Sequence, residues 1–306
     1  MAAIEIGTIQ ELIAFGNGDY GRGSSGNLVE AVLTADLDFA DLTEYDMPYV
    51  WSGCTGDWYV NFDGQGHTIG NIYYAGSIDR WGFFSVLKSG SIVKNLNLPN
   101  MYVAAQCGNA DGGVGSIASI GEGCTIQNCH VSGQIENTRT DGDFNTSNNC
   151  VAGIVGRPGN NSTTINCSFS GTLKIASTSG HIHGIAGHGY NGGCSVISCL
   201  CVADFVYLTG AAGIGIKCYG NNGATLNSEF RGTNAAIVFG FGNTINCIGI
   251  VDSSDDALVA PDTVISSYID STKAAAAGLT IPSNCGSATT AELQSINWLR
   301  AHNFPI

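Results

Sequence analysis

Five segments of this chain align on one another without a gap: TIQNCHVSG from Thr125, TTINCSFSG from Thr163, SVISCLCVA from Ser195, ATLNSEFRG from Ala224 and NTINCIGIV from Asn243. Such a repeat constrains a fold more tightly than composition does. Each unit is too small to bury its own apolar face, so the units must stack. The shared centre is Asn-Cys, at Asn128-Cys129, Asn166-Cys167 and Asn246-Cys247, varied to Ser198-Cys199 and Asn227-Ser228. Around it core-type side chains alternate: Ile165, Cys167, Phe169; Ile197, Cys199, Cys201; Leu226, Ser228, Phe230. A period of two reads as a strand with those residues on one face. The first copy departs, with Gln127 where the others carry Ile or Leu.

A second apolar motif bounded by glycines accompanies each copy: GGVGSIAS from Gly112, AGIVGRPG from Ala152, HGIAGHGY from His183, AGIGIKCY from Ala212 and AAIVFGFG from Ala235. Each repeat thus supplies at least two strands, and the Asn-Cys centres recur after 38, 32, 29 and 19 residues. Parallel coils stacked about 4.8 Å apart bring equivalent residues into rows. Cys129, Cys167, Cys199, Ser228 and Cys247 are expected to run up the interior. Asn128, Asn166, Asn227 and Asn246 are expected to form a second row at a bend, with amides bonding coil to coil and the left-handed backbone that Asn tolerates. This predicts an all-β parallel β-helix from about Ala31 to Ile269.

The twelve cysteines occupy like positions in successive repeats rather than facing ones. With no pair of CxxC motifs, a zinc site is not expected. Buried thiols acting as small hydrophobes are the expectation, with one or more disulfides as the alternative. At the N-terminus, Thr8 and Glu11 form a capping-box pattern for a short helix over 8–18 that covers the open end of the first coil. Residues 290–306 repeat that logic, with Leu293, Ile296 and Leu299 on one helix face. The expected organisation is one domain: an N-terminal cap over 1–30, coils over 31–270 and a C-terminal cap over 271–306.

The chain carries 11 Lys+Arg against 25 Asp+Glu, a net charge of −14. That disfavours nucleic acid, whose binding rests on cation-driven counterion release, and anionic membrane surfaces. No run of apolar residues reaches a membrane-spanning length. The N-terminal residues lack the pattern of a signal peptide.

VNFDGQGHTIGNIYY from Val60, GFFS from Gly82, KNLNL from Lys94, GIVG from Gly153 and GIAG from Gly184 resemble GLUG-motif proteins. The opening TIQELIAFGNGDYGRG and AVLTADLDF, and the terminal helix, are also similar to that family. The resemblance implies a single-stranded right-handed parallel β-helix with short capping helices at both ends, on a secreted or virion-borne scaffold. It carries over no catalytic residues.

Catalytic patterns are sparse. Gly187-His188-Gly189 and Asp255-Asp256 match two polygalacturonase motifs in reversed order, and Asp252, Asp255 and Asp256 read as a solvated turn. Acidic residues between Val103 and Val251 share no repeat phase. His181 and His183 fall on one face, within reach of each other. The polar insertion over 137–149 sits between core strands, where a rigid scaffold presents recognition loops; its binding candidates are Thr138, Arg139, Asp141, Asp143, Phe144 and Asn145. The expected function is non-enzymatic surface recognition or scaffolding, on a phage or phage-like particle, with a secreted bacterial adhesin or a glycan-active β-helix enzyme as alternatives. The expected partners are a cell-surface glycan or protein receptor, other virion proteins, or a second copy of the chain. No cofactor or metal is expected, and the expected location is a virion or the cell surface.

Overall fold

The computed structural model describes residues 2–44, 47–107, 113–140, 150–159, 161–176, 181–187, 194–207 and 267–302, with Cys247 and short strands between 214 and 265. The fold is all-β, and nearly every strand pairs in parallel with the equivalent strand of the next coil. The longest ladder runs through Val29–Leu33, Val60–Asp63, Ile92–Cys107, Thr125–Asn137, Ser162–Ile165 and Cys194–Ile197. A second wall stacks Cys54–Trp58, Phe84–Leu87, Ala118–Glu122 and Val155–Gly159. A third stacks Gly113–Gly115, Cys150–Ala152, His181–His183 and Ile214–Gly215. Pairing extends beyond the expected limits at both ends. Ile4–Ile6 joins Val29–Leu33 ahead of the helix, and Gly286–Ala288 joins Tyr268–Asp270.

The Asn row is present as a hydrogen-bonded ladder. Asn95 Nδ2 donates to Asp63 Oδ1 at 3.0 Å, Asn128 Nδ2 to Asn95 Oδ1 at 3.0 Å and Asn166 Nδ2 to Asn128 Oδ1 at 2.7 Å. Asn95, Asn128, Asn166 and Ser198 all have φ between 51° and 54°. Asn227 and Asn246 lie outside the described residues, as does Ser228. This left-handed residue turns the strand and shifts its parity, which corrects the expected alternation. Thr164 and Cys167 point inward, while Ile165 between them is only half-buried; Val196, Ile197 and Cys199 repeat the pattern. The position before the bend therefore faces outward, and Gln127 there is no exception.

The thiol row is interior as expected: Cys129, Cys167, Cys199 and Cys247 are buried and reduced. Cys129, Cys167 and Cys199 each point Sγ at two carbonyls. Cys167 approaches Ile165 O at 3.2 Å and Ile126 O of the previous coil at 3.6 Å. Cys129 and Cys199 repeat the arrangement with Val93 and Thr164. Burial pushes the Cys167 thiol well above its ordinary value. Among the described residues ten cysteines are reduced, and Cys194 is disulfide-bonded, so the disulfide alternative holds at that position. On the strand Ser168–Ile175, Gly171 holds φ at 134° against its register partner Gly133, where a Cβ would strike the Gly133 carbonyl.

The N-terminal helix is Ile9–Asn17, with the Thr8/Glu11 capping box formed and Gly18 closing it in the left-handed region. Its Phe15 packs on Trp58 with ring centroids 4.8 Å apart and on Phe62 at 5.8 Å, which seals the first coils. The C-terminal helix expected over 290–306 is instead two short helices, Thr290–Leu293 and Ile296–Ala301, broken because Ser295 caps the second. Leu293 is buried and Leu299 half-buried, but Ile296 is 58% exposed.

Candidate functional site

Two of the clefts between side chains that point outward from the coils gather binding chemistry. At register partners on adjacent coils, Tyr73 and Tyr102 stack with ring centroids 5.3 Å apart and planes 11° from parallel. Cross-strand neighbours at this spacing interact directly. The outward row continues through Gln134, Thr172 and Asp204, so an aromatic surface gives way to hydrogen-bonding groups along the stack.

Beside the tyrosines lies a cleft of about 400 Å³ lined mainly by Phe39, Leu42, Pro48, Asn71, Asn100 and the two tyrosines. Its floor is held by Phe39, buried and stacked on Trp51 at 5.2 Å. Asn71 and Asn100 sit at left-handed bends with φ of 56° and 57°. Asn71 Nδ2 donates to Asp38 Oδ1 at 2.6 Å, leaving the amide oxygen to accept from a ligand. A mainly apolar cleft with a few convergent polar groups is the usual form of a small-ligand site.

The second cleft, about 230 Å³, opens on the wall formed by Cys54–Trp58, Phe84–Leu87, Ala118–Glu122 and Val155–Gly159. Val86 and Ile120 are apolar lining; Asp57, Arg80, Lys88, Glu122 and Arg157 supply charge. Lys88 Nζ lies 3.2 Å from Asp57 Oδ2 and 2.8 Å from Glu122 Oε2. The two oxygens bonded to Lys88 are thus at most about 6 Å apart, too close for the water of an inverting glycosidase pair. Burial pulls the Lys88 pKa down, but the hydrogen bonds to Glu122 and Asp57 outweigh it and the net shift is upward. The ammonium therefore stays charged between the two acids.

Of the loop candidates, Thr138 and Arg139 lie at the root of the insertion. Thr138 N–H donates to Ala105 O at 3.0 Å. Arg139 is buried, its Nη1 donating to Cys107 O at 2.9 Å. Asn137 belongs to the strand, paired with Ile175. Asp141, Asp143, Phe144 and Asn145 lie outside the described residues, as do His188, Asp252, Asp255 and Asp256. His181 and His183 do meet, with rings stacked 5.9 Å apart; His183 is fully buried. Among the described residues no cluster of three metal-ligating side chains occurs, and no helix is long and apolar enough to cross a membrane.

Neither cleft was legible in the repeat alignment, which begins at Thr125. The signal was a spacing: Tyr73 and Tyr102 are 29 residues apart, and Lys88 and Glu122 are 34 apart, each one coil.

The fold is shared with a solved structure. A Bacteroides ovatus protein provisionally named an immunoglobulin A1 protease matches with a TM-score of 0.54 at 18% identity, over 98% of this chain and 88% of that one. A structure named IgA1 protease matches at 0.48 and 13% identity, over 87% of this chain and 21% of that one. At these identities the first likeness is one of fold. A search of curated proteins finds no relative. The model of the GLUG motif matches residues 147–174, which span the strands Cys150–Ala152, Val155–Gly159, Ser162–Ile165 and most of Ser168–Ile175. The chain carries a GLUG motif.

Proposed function

We propose that this chain is a right-handed parallel β-helix displayed outside the cell, where it recognises glycans through the Tyr73–Tyr102 cleft. The handedness is supported by the parallel pairing of successive coils, since parallel crossovers are right-handed in about 98% of cases. The GLUG motif and the fold likeness support an extracellular surface protein. They lend nothing to a phage-particle appendage, and that part of the expectation is not carried forward.

The observation that carries the glycan reading is the stacked tyrosine pair. A ring face is the negative side of the aromatic quadrupole and attracts positively polarised groups, while the phenol supplies a hydrogen bond at its edge. A sugar ring offers both kinds of partner: polarised C–H groups on its face and hydroxyls on its rim. Asn71, Asn100 and Gln134 flank the pair to engage those hydroxyls.

One observation favours the enzyme reading instead, namely the convergence of Asp57 and Glu122. Lys88 fills the space between them, which suits binding better than a general acid that must hold a proton.

A glycan array probed with the full chain, followed by calorimetry on the best ligands, tests the proposal. Tyr102→Ala and Tyr73→Ala are each expected to weaken neutral-oligosaccharide binding by about tenfold, the scale of a lost aromatic contact. Ligands that bind both variants as tightly as the native chain would refute the site. Turnover of a bound glycan that disappears in Asp57→Asn would establish the enzyme.

A further inference from the structure

The charged cleft points to a second ligand group. We infer that it binds an acidic sugar residue, one bearing a carboxylate or a sulfate, and that Arg80 is the group that recognises it. The inference takes from the glycan reading only the class of ligand; the residues involved are different.

Three of the eleven basic residues of this acidic chain, Arg80, Lys88 and Arg157, line this single cleft. Lys88 is committed to Asp57 and Glu122. Elsewhere the described lysines on the long ladder are paired in the same way, Lys94 with Asp63 at 3.2 Å and Lys174 with Glu136 at 2.8 Å. Arg80 differs. Its Nε is shut off from solvent and has no hydrogen-bond partner, and its guanidinium makes no ion pair with any described residue.

A buried donor without a partner is costly, and Arg80 carries one at Nε while the residue itself is only half-buried. No described group holds the Nη edge that faces the clefts, which leaves that edge for a ligand. The planar fork of Arg matches the two oxygens of a carboxylate or sulfate bidentately. Arg80 also borders an adjoining cleft of about 300 Å³ that offers the Thr55 and Ser85 hydroxyls and Asp79. On one side of Arg80, then, lie hydroxyl-binding groups; on the other, the Lys88 bridge over an apolar lining of Val86 and Ile120. This combination suits a sugar that carries one anionic group and several hydroxyls. Because the whole chain is strongly acidic, anions are not steered in from a distance, so recognition rests on close contact with Arg80.

The test is calorimetric titration of the full chain with a galacturonate oligomer, the methyl ester of the same oligomer, and a sulfated galactan oligomer beside its unsulfated form. At least one acidic form is expected to bind about tenfold or more tightly than its neutral counterpart, the scale of a charge-assisted hydrogen bond. Arg80→Gln is expected to abolish that preference, and Arg80→Lys to keep part of it, while both leave Tyr102-dependent binding of neutral oligosaccharides unchanged. The relative effect of sulfate and carboxylate identifies which anion the site takes. Absence of any acid preference in either pair, or a preference untouched by Arg80→Gln, overturns the inference. Neither result bears on the tyrosine cleft, whose own variants report separately.

Discussion

Replacing Asn166 by alanine isolates the device that turns each coil. Asn166 holds φ at 51° and donates from Nδ2 to Asn128 Oδ1 at 2.7 Å. Alanine loses that hydrogen bond, worth about 0.5–1 kcal/mol at an exposed position. It must also keep a left-handed backbone, about 1 kcal/mol more. The expected destabilisation is therefore about 1.5–2 kcal/mol. With a urea slope of about 3 kcal/mol/M, the midpoint falls by about 0.5–0.7 M. Asn166→Gly loses the hydrogen bond but adopts the left-handed region without steric cost, so it should recover roughly the backbone share. Urea unfolding followed by far-ultraviolet circular dichroism measures both. Hydrogen exchange over the strand Ser162–Ile165 and the bend checks that the weakened region is the local one, because stacked repeats need not unfold as one unit. Equal losses in the Ala and Gly variants would refute the backbone argument. An Ala variant with an unchanged midpoint would refute the ladder.

Other expectations follow from the same geometry. Cys129, Cys167 and Cys199 are buried, and burial pushes the Cys201 and Cys167 thiols up. They should resist alkylation in the folded chain and react after denaturation without reductant, whereas the half-buried Cys285 reacts first; rapid labelling of the row in the native state would contradict its burial. The Glu11 carboxylate is held below its ordinary 4.5 by hydrogen bonds from the Gly7 N–H and the Thr8 side chain, with a further one from the Thr8 N–H, against a small opposing effect of burial. A lowered folded-state pKa means that its support for the N-terminal helix is present above 4.5 and is lost as pH falls through the folded value. Acid titration of the native chain and of Glu11→Gln should diverge above that window and converge below it; parallel curves throughout would show that the capping box contributes nothing.

Much of this architecture is written in local sequence. The Asn-Cys repeats mark the bends because a residue that accepts left-handed backbone must sit there, and the cysteines follow because the position after the bend faces inward. Thr8 and Glu11 announce a helix start for an equally local reason, the pairing of side chain and backbone across one turn. Other features depend on chain parity and register, which local pattern does not reveal. A period of two predicts Ile165 and Ile197 in the core, yet the left-handed residue that follows shifts the count and leaves them half-outside. Ser295 divides a terminal helix that its apolar spacing makes continuous. Tyr73 and Tyr102, or Asp57, Lys88 and Glu122, become neighbours only when coils of unequal length stack at one particular register. Sequence by itself determined the repeat, the bend chemistry and the cap. The tertiary structure decided which side chains from successive coils meet on the outer surface, because that depends on the summed length of every turn between them.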